Sequence, residues 1–231
     1  MNIKKIFLSI SAIILFSITT VQVQANSWGV GIKIDSHTLT TDASDDIDNN
    51  GTVTSRKSFE DKAKGASIFL ERNIETAFGN IALGINYIPG EVDIDKRSVS
   101  QSSVKAIADG AATTGTNSAQ GTVSRHMTVY VQPGINLGSS MNTLYLSLGM
   151  SFADVEGKNN SISSTNLTQT RDLDGTQIGI GLKRTGDNGA FLKLEYSQTD
   201  YDQVSWVTGN STKAMADLDN TILSLAVGKQ F

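Results

Sequence analysis

The chain of 231 residues contains no cysteine. That excludes a disulfide framework, a thiolate nucleophile and any zinc or iron–sulfur centre held by sulfur. Two histidines, His37 and His126, are too few for a multi-histidine metal site. Charged residues make up only 18% of the chain and there are two prolines, so the composition is not that of a disordered protein. A formal net charge of −4 and an isoelectric point near 5.2 leave no basic surface for phosphate, and no nucleic acid is expected as a partner. Long apolar runs are scarce too. After the first 25 residues no stretch could cross a bilayer as a helix.

Within those 25 residues, Lys4 and Lys5 precede an apolar stretch from Ile6 to Ile18, and Val23-Gln24-Ala25 offers small residues to a peptidase. This is the three-part pattern of a secretory signal peptide, expected to be cleaved after Ala25. As a helix the stretch rises only about 20 Å, against a hydrocarbon core of about 30 Å, so it is too short for an anchor. The expected organisation is a signal peptide over residues 1–25 and one domain over 26–231.

From Ser27 onward, large apolar residues occupy every second position. Trp28, Val30, Ile32 and Ile34 alternate with Gly29, Gly31, Lys33 and Asp35, and the habit recurs around Ile68, Ile85, Val129, Leu146, Ile178, Leu194 and Leu225. Strand side chains point alternately to opposite faces, so these eight segments write one apolar face and one small or polar face. The connections alternate as well. Short turns are expected near 73–79, 136–142 and 185–189, the last marked by Gly186-Asp187-Asn188-Gly189. Longer polar loops are expected near 37–63, 92–122, 155–173 and 201–217. In an up-and-down sheet this puts all short turns at one end and all long loops at the other.

A soluble sandwich would alternate too, but its second face would be rich in Lys, Glu, Thr and Arg. Here that face is largely Gly, Ser and Ala, which suits a crowded barrel interior. Its charges balance, with Lys33, Lys183 and Lys193 against Asp35, Glu71 and Glu195. An even number of strands closed into a barrel satisfies every backbone group without water, so the apolar face can meet lipid. Trp28, Tyr87, Phe152, Tyr196 and Tyr201 lie near segment ends, where aromatic girdles are expected, and Lys229 is placed to snorkel at an interface. Pro133, inside the fourth segment, predicts a bulge or a strand end.

Three motifs invite chemistry. Gly29-Val30-Gly31 and Gly179-Ile180-Gly181 do not begin helices and read as lumen glycines of strands. His126 and Thr128 share a face, with Ser124 joining them if the strand continues, which suggests an acyl-transfer site but supplies no acidic partner. Asp46-Ile47-Asp48-Asn49-Asn50-Gly51 matches the opening of a calcium loop, yet position 12 is Lys57 where a bidentate Glu is needed. A solvated acidic loop is the expectation, with Asp46, Asp48 and Asn50 as the only candidates for weak divalent binding. Catalytic, cofactor-binding and metal residues are all expected to be absent.

The signal peptide, the eight alternating segments and the final Thr221–Phe231 strand ending in an aromatic residue resemble the small outer-membrane barrels of the OmpA transmembrane-domain, OmpX and opacity-protein type. The resemblance implies an eight-stranded antiparallel up-and-down barrel, outer-membrane lipids and lipopolysaccharide around it, and loops at the cell surface open to a host or other ligand. It also implies that Phe231 is read by the barrel-assembly machinery. The expected role is envelope structure or adhesion on a largely filled barrel, without enzymatic activity. A narrow porin-like channel is the alternative, and a lipid A-modifying enzyme centred on His126 a third reading.

Overall fold

The computed structural model describes residues 26–231 except 47–50, 54, 78, 106–111, 139–140, 161–166 and 208–212. The expected signal peptide, and Ile47 to Asn50 of the calcium-like motif, lie outside the described residues. Nine strand segments form one antiparallel sheet: β1 (Asn26–Asp46), β2 (Ser55–Thr76), β3 (Gly79–Lys105), β4 (Ala112–Asn136), β5 (Asn142–Asn160), β6 (Leu167–Thr185), β7 (Ala190–Tyr201), β8 (Val204–Val207) and β9 (Lys213–Gln230). β7 and β8 both pair with β9 and are successive parts of one wall strand, while β9 also pairs with β1. The sheet therefore closes as eight antiparallel strands. Closure is completed at the terminus, where Phe231 donates its N–H to the Trp28 carbonyl (2.8 Å) and accepts from the Trp28 N–H (3.1 Å).

The outward face carries the predicted apolar rows. Ile34 is 65% exposed and Leu225, its partner across the β1–β9 seam, 48%. Ile68, Ile85, Val129, Leu146, Ile178 and Leu194 are exposed in the same way on the other strands. The short turns are where the sequence puts them. In the last, Gly189 takes a φ of +78°, its N–H donates to the Gly186 carbonyl (2.8 Å), and the Asn188 side chain caps Ala190 N–H (3.0 Å). Lys229 is exposed and donates to the Asn188 carbonyl of that turn.

The other end of the barrel departs from expectation. Much of what reads as four long loops is strand, and β3 alone runs for 27 residues. The 21 residues of β1 span about 70 Å of strand, or about 50 Å along the axis at a tilt near 40°, where a lipid-facing band needs about 25 Å. The barrel wall thus continues far beyond the apolar belt. These segments are polar enough to read as loops because above the belt the outward face meets water.

Pro133 brings neither a bulge nor a strand end. It pairs in register with Ile81, three residues before β4 finishes. The bulge belongs to the other proline: β3 and β4 shift register between Ile88 and Glu91, across Pro89-Gly90, where Gly90 takes a φ of +104°. A second shift between β4 and β5 falls at Arg125, the only described non-glycine residue with positive φ, at 52°.

Leu225→Arg, at mid-belt, is expected to destabilise the folded barrel by about 2–4 kcal/mol. Urea unfolding in lipid vesicles measures it, and a loss below about 0.5 kcal/mol would contradict a lipid-facing belt.

Candidate functional site

Within the belt the lumen is filled by side chains that bond across the tube. Glu71 on β2 is fully buried and receives Lys183 Nζ of β6 at 2.9 Å and Lys193 Nζ of β7 at 2.7 Å. Lys183 also donates to Asn73 (3.0 Å) and Gln230 (3.3 Å), and the Tyr130 hydroxyl donates to Glu71 (3.3 Å). Gln132 on β4 links the second carboxylate, accepting from Lys193 (2.7 Å) and donating to Glu195 (2.9 Å), which faces Lys33 at 3.8 Å. Asp35 is held instead by two hydroxyls, Ser67 (2.8 Å) and Ser224 (2.6 Å). All six lumen charges are thus matched by partners on other strands. In a low-dielectric interior an unmatched one would be strongly unfavourable.

Aromatic rings pack around this network. Four of the lumen glycines make room for a ring: a Cβ on Gly84 would overlap Tyr130, on Gly181 Tyr145, on Gly31 Phe69, and on Gly228 Phe191. Phe69 and Phe191 stack at 6.0 Å between centroids. Lys193 Nζ lies 5.1 Å from the Tyr145 ring centroid and 5.3 Å from that of Phe69, and Lys183 Nζ 4.4 Å from that of Phe191. Such contacts favour a cation when water is excluded. One small cavity, partly open, adjoins the network, and its lining of Lys33, Asn86, Gln132 and Gln177 suits ordered water.

Above the network the chemistry of the two faces inverts. Leu39, Ala153, Val155, Leu173, Val204, Ala216 and Leu218 point inward and are buried, with Trp206, Ile94 and Val123 packed against them. Between the layers sit His37 and His126. His37 Nδ1 is 3.1 Å from Asn220 Nδ2, and His126 Nε2 is 2.7 Å from the Tyr201 hydroxyl. The outward face at this level is polar. Asp42 pairs directly across from Asp217, and Asp200 from Asp219, with Gln203 donating to Asp217 (3.1 Å). Partial burial, then the charges of Asp200, Asp42 and Asp217, raise the Asp219 carboxyl above its ordinary range.

Several sequence expectations change here. Tyr201 belongs to no girdle: it is 6% exposed and points inward, because it shares the parity of Phe191 and not of Tyr196. Ser124 does not join His126 and Thr128. Arg125 is an extra residue in the ladder, so Ser124 pairs with outward Glu91 and Asp154 while Val123 turns into the lumen beside His126. The Thr128 hydroxyl bonds to Ser151 (2.9 Å) and His126 to the Tyr201 hydroxyl, so His126 and Thr128 do not pair with each other. Asp46 accepts the Gly51 N–H (2.8 Å), and no metal-holding cluster is found among the described residues. Gln132, Asn73 and Tyr130 were not singled out from sequence, although their inward parity on β2 and β4 was available.

Glu71→Gln leaves two lysines without their carboxylate and is expected to cost about 3–5 kcal/mol in vesicle unfolding, where a loss under about 1 kcal/mol would mean the charges are solvated independently. Asp219 lies above the apolar belt and titrates at a raised pH in the folded barrel. The folded state therefore binds its proton more tightly, and stability rises as pH falls from neutral toward the carboxylate range. Asp219→Asn is expected to add about 0.5 kcal/mol at neutral pH, screened by salt, and to flatten that pH dependence in matched unfolding curves.

No family model matches the sequence, and no curated protein does. Solved structures similar in fold include Ail, the attachment invasion locus protein of Yersinia pestis, at 12% identity over 88% of this chain and 98% of that one, with a TM-score of 0.41. Neisserial surface protein A is similar at 11% identity over 87% and 97%, with a TM-score of 0.35. The outer membrane protein AlkL is similar at 11% identity over 92% and 93%, with a TM-score of 0.42. A sheet closed on itself, apolar outside and ion-paired within, makes this chain a small eight-stranded antiparallel β-barrel.

Proposed function

We propose that the barrel is a non-conducting scaffold that holds a tall, closed extension of its own wall away from the membrane, for envelope structure or adhesion. The observation that carries this reading is the Glu71–Lys183–Lys193 cluster with Gln132 and Glu195, which ties four strands together across the tube. A permeating ion would have to break charge-assisted bonds in a low-dielectric space, and the rings beside them leave little width. The surface offered outside the membrane is then the outward face of β1 to β9 above the belt and the turns that join them. Lipid and lipopolysaccharide surround the belt, and the seam strand β9 with Phe231 directly after it is the element the barrel-assembly machinery would take up. The same geometry supports a protein without enzymatic activity, since the partner of His126 is the buried Tyr201 hydroxyl and not that of Thr128 or Ser124.

Planar-bilayer recording tests the reading. The wild-type barrel is expected to give no steps above a protein-free membrane, while Glu71→Ala/Lys183→Ala/Lys193→Ala, which removes the charged layer, gives resolvable conductance. Steady ohmic current through the wild type would replace the scaffold by a narrow channel. Mass spectrometry of lipid A incubated with the barrel is expected to show no change, and acyl-chain loss dependent on His126 would restore the enzymatic alternative.

A further inference from the structure

A second cavity lies in the outer half of the lumen, above the ion-paired layer. It is partly open to solvent and is walled by Leu39, Ile88, Val123, Leu173 and Leu218, with His37, His126, Tyr201 and Asn220 at its polar end. No charged side chain lines it, in contrast to the cavity beside Lys33, Lys193 and Glu195. His37 and His126 are 5% and 7% exposed, yet His37 Nε2 and His126 Nδ1 have no hydrogen-bond partner, and neither has Oδ1 of Asn220, 4% exposed. Buried polar atoms are nearly always paired, so three at one cavity wall mark a place for an incoming hydrogen-bonding group.

The wall is also irregular at this level. The Pro89-Gly90 bulge and the Arg125 bulge lie on adjacent strands at the two sides of His126, and Gly90 itself lines the cavity. Bulges re-aim side chains, and a non-glycine residue at positive φ persists only where its surroundings hold it. Without the extra residue at Arg125, His126 and Val123 would face opposite sides of the wall. The bulge brings an imidazole and an apolar wall into one cavity.

The geometry points to a binding site for a small uncharged molecule with a hydrocarbon body and a single hydroxyl head, a phenol or a short alkanol. The body packs among the aliphatic side chains, and the hydroxyl bonds to the free nitrogen of His126 or His37. A carboxylate or ammonium ligand is disfavoured because the lining holds no counter-charge. The charged layer lies on the periplasmic side of the site, which stands whether or not the conductance reading survives.

The test uses the mature barrel in nanodiscs with 4-methylphenol as the probe and protein-free nanodiscs as the control for partition into lipid. Expected are saturable shifts of the His37 and His126 imidazole resonances, together with intermolecular NOEs from the probe ring to methyl groups of Leu39, Val123 and Leu173. Toluene, lacking the hydroxyl, is expected to bind roughly 3- to 10-fold more weakly, and benzoate more weakly still. Val123→Trp, confirmed folded by heat-modifiable gel migration, is expected to abolish saturation. If that variant does not fold, the wild-type NOEs decide alone. Signals no different from lipid partition, a cavity occupied by water only, or NOEs confined to the outer belt would overturn the proposal.

Discussion

Hydrocarbon offers the backbone no hydrogen-bonding partner, so a chain that crosses it as strands must close its sheet completely. Here the last strand meets the first along β1 and β9, down to the mutual bonds of Trp28 and Phe231. Closure then dictates the rest. Every inward side chain is confined to a tube of eight strands, too narrow for solvating water around each charge. Charges persist in it paired with opposite charges or held by hydrogen bonds, and several large rings sit opposite residues without a Cβ. The Glu71 cluster and the pairing of Gly84 with Tyr130 and Gly181 with Tyr145 are two answers to the same confinement.

The barrel is two structures on one continuous sheet. Within the belt it is apolar outside and polar inside. Above the belt it is an ordinary water-soluble barrel, with Asp42, Asp200 and Asp217 outside and Leu173, Val155 and Leu218 inside. The inversion occurs within individual strands. In β5, Leu146 and Met150 face out, and a few residues later Ala153 and Val155 face in. The two cavities fall on either side of this change, one polar and one apolar, and the histidines mark the boundary between them.

Alternation made the eight segments, their outward rows and the short turns legible, because a period of two is a local property of a strand. The six lumen charges were legible for the same reason. The upper barrel was not, although its signal is present: the apolar positions change parity in the stretch after Phe152, and polar outward residues there look like loop. Nor was the bulge at Arg125. A single residue in the left-handed region leaves no mark on composition, yet it moved Ser124 out of the lumen and Val123 into it.

By itself the sequence determined that these segments form a barrel wall, which face of the belt meets lipid, and which residues share the interior there, since each follows from side-chain parity and neighbouring residues. Only the tertiary structure decided which interior residues meet. Lys183 and Glu71 are 112 positions apart, and His37 and Asn220 are 183 apart. Strand register brings them together, and register is a property of the closed sheet, set by hydrogen bonds between strands that no single segment contains.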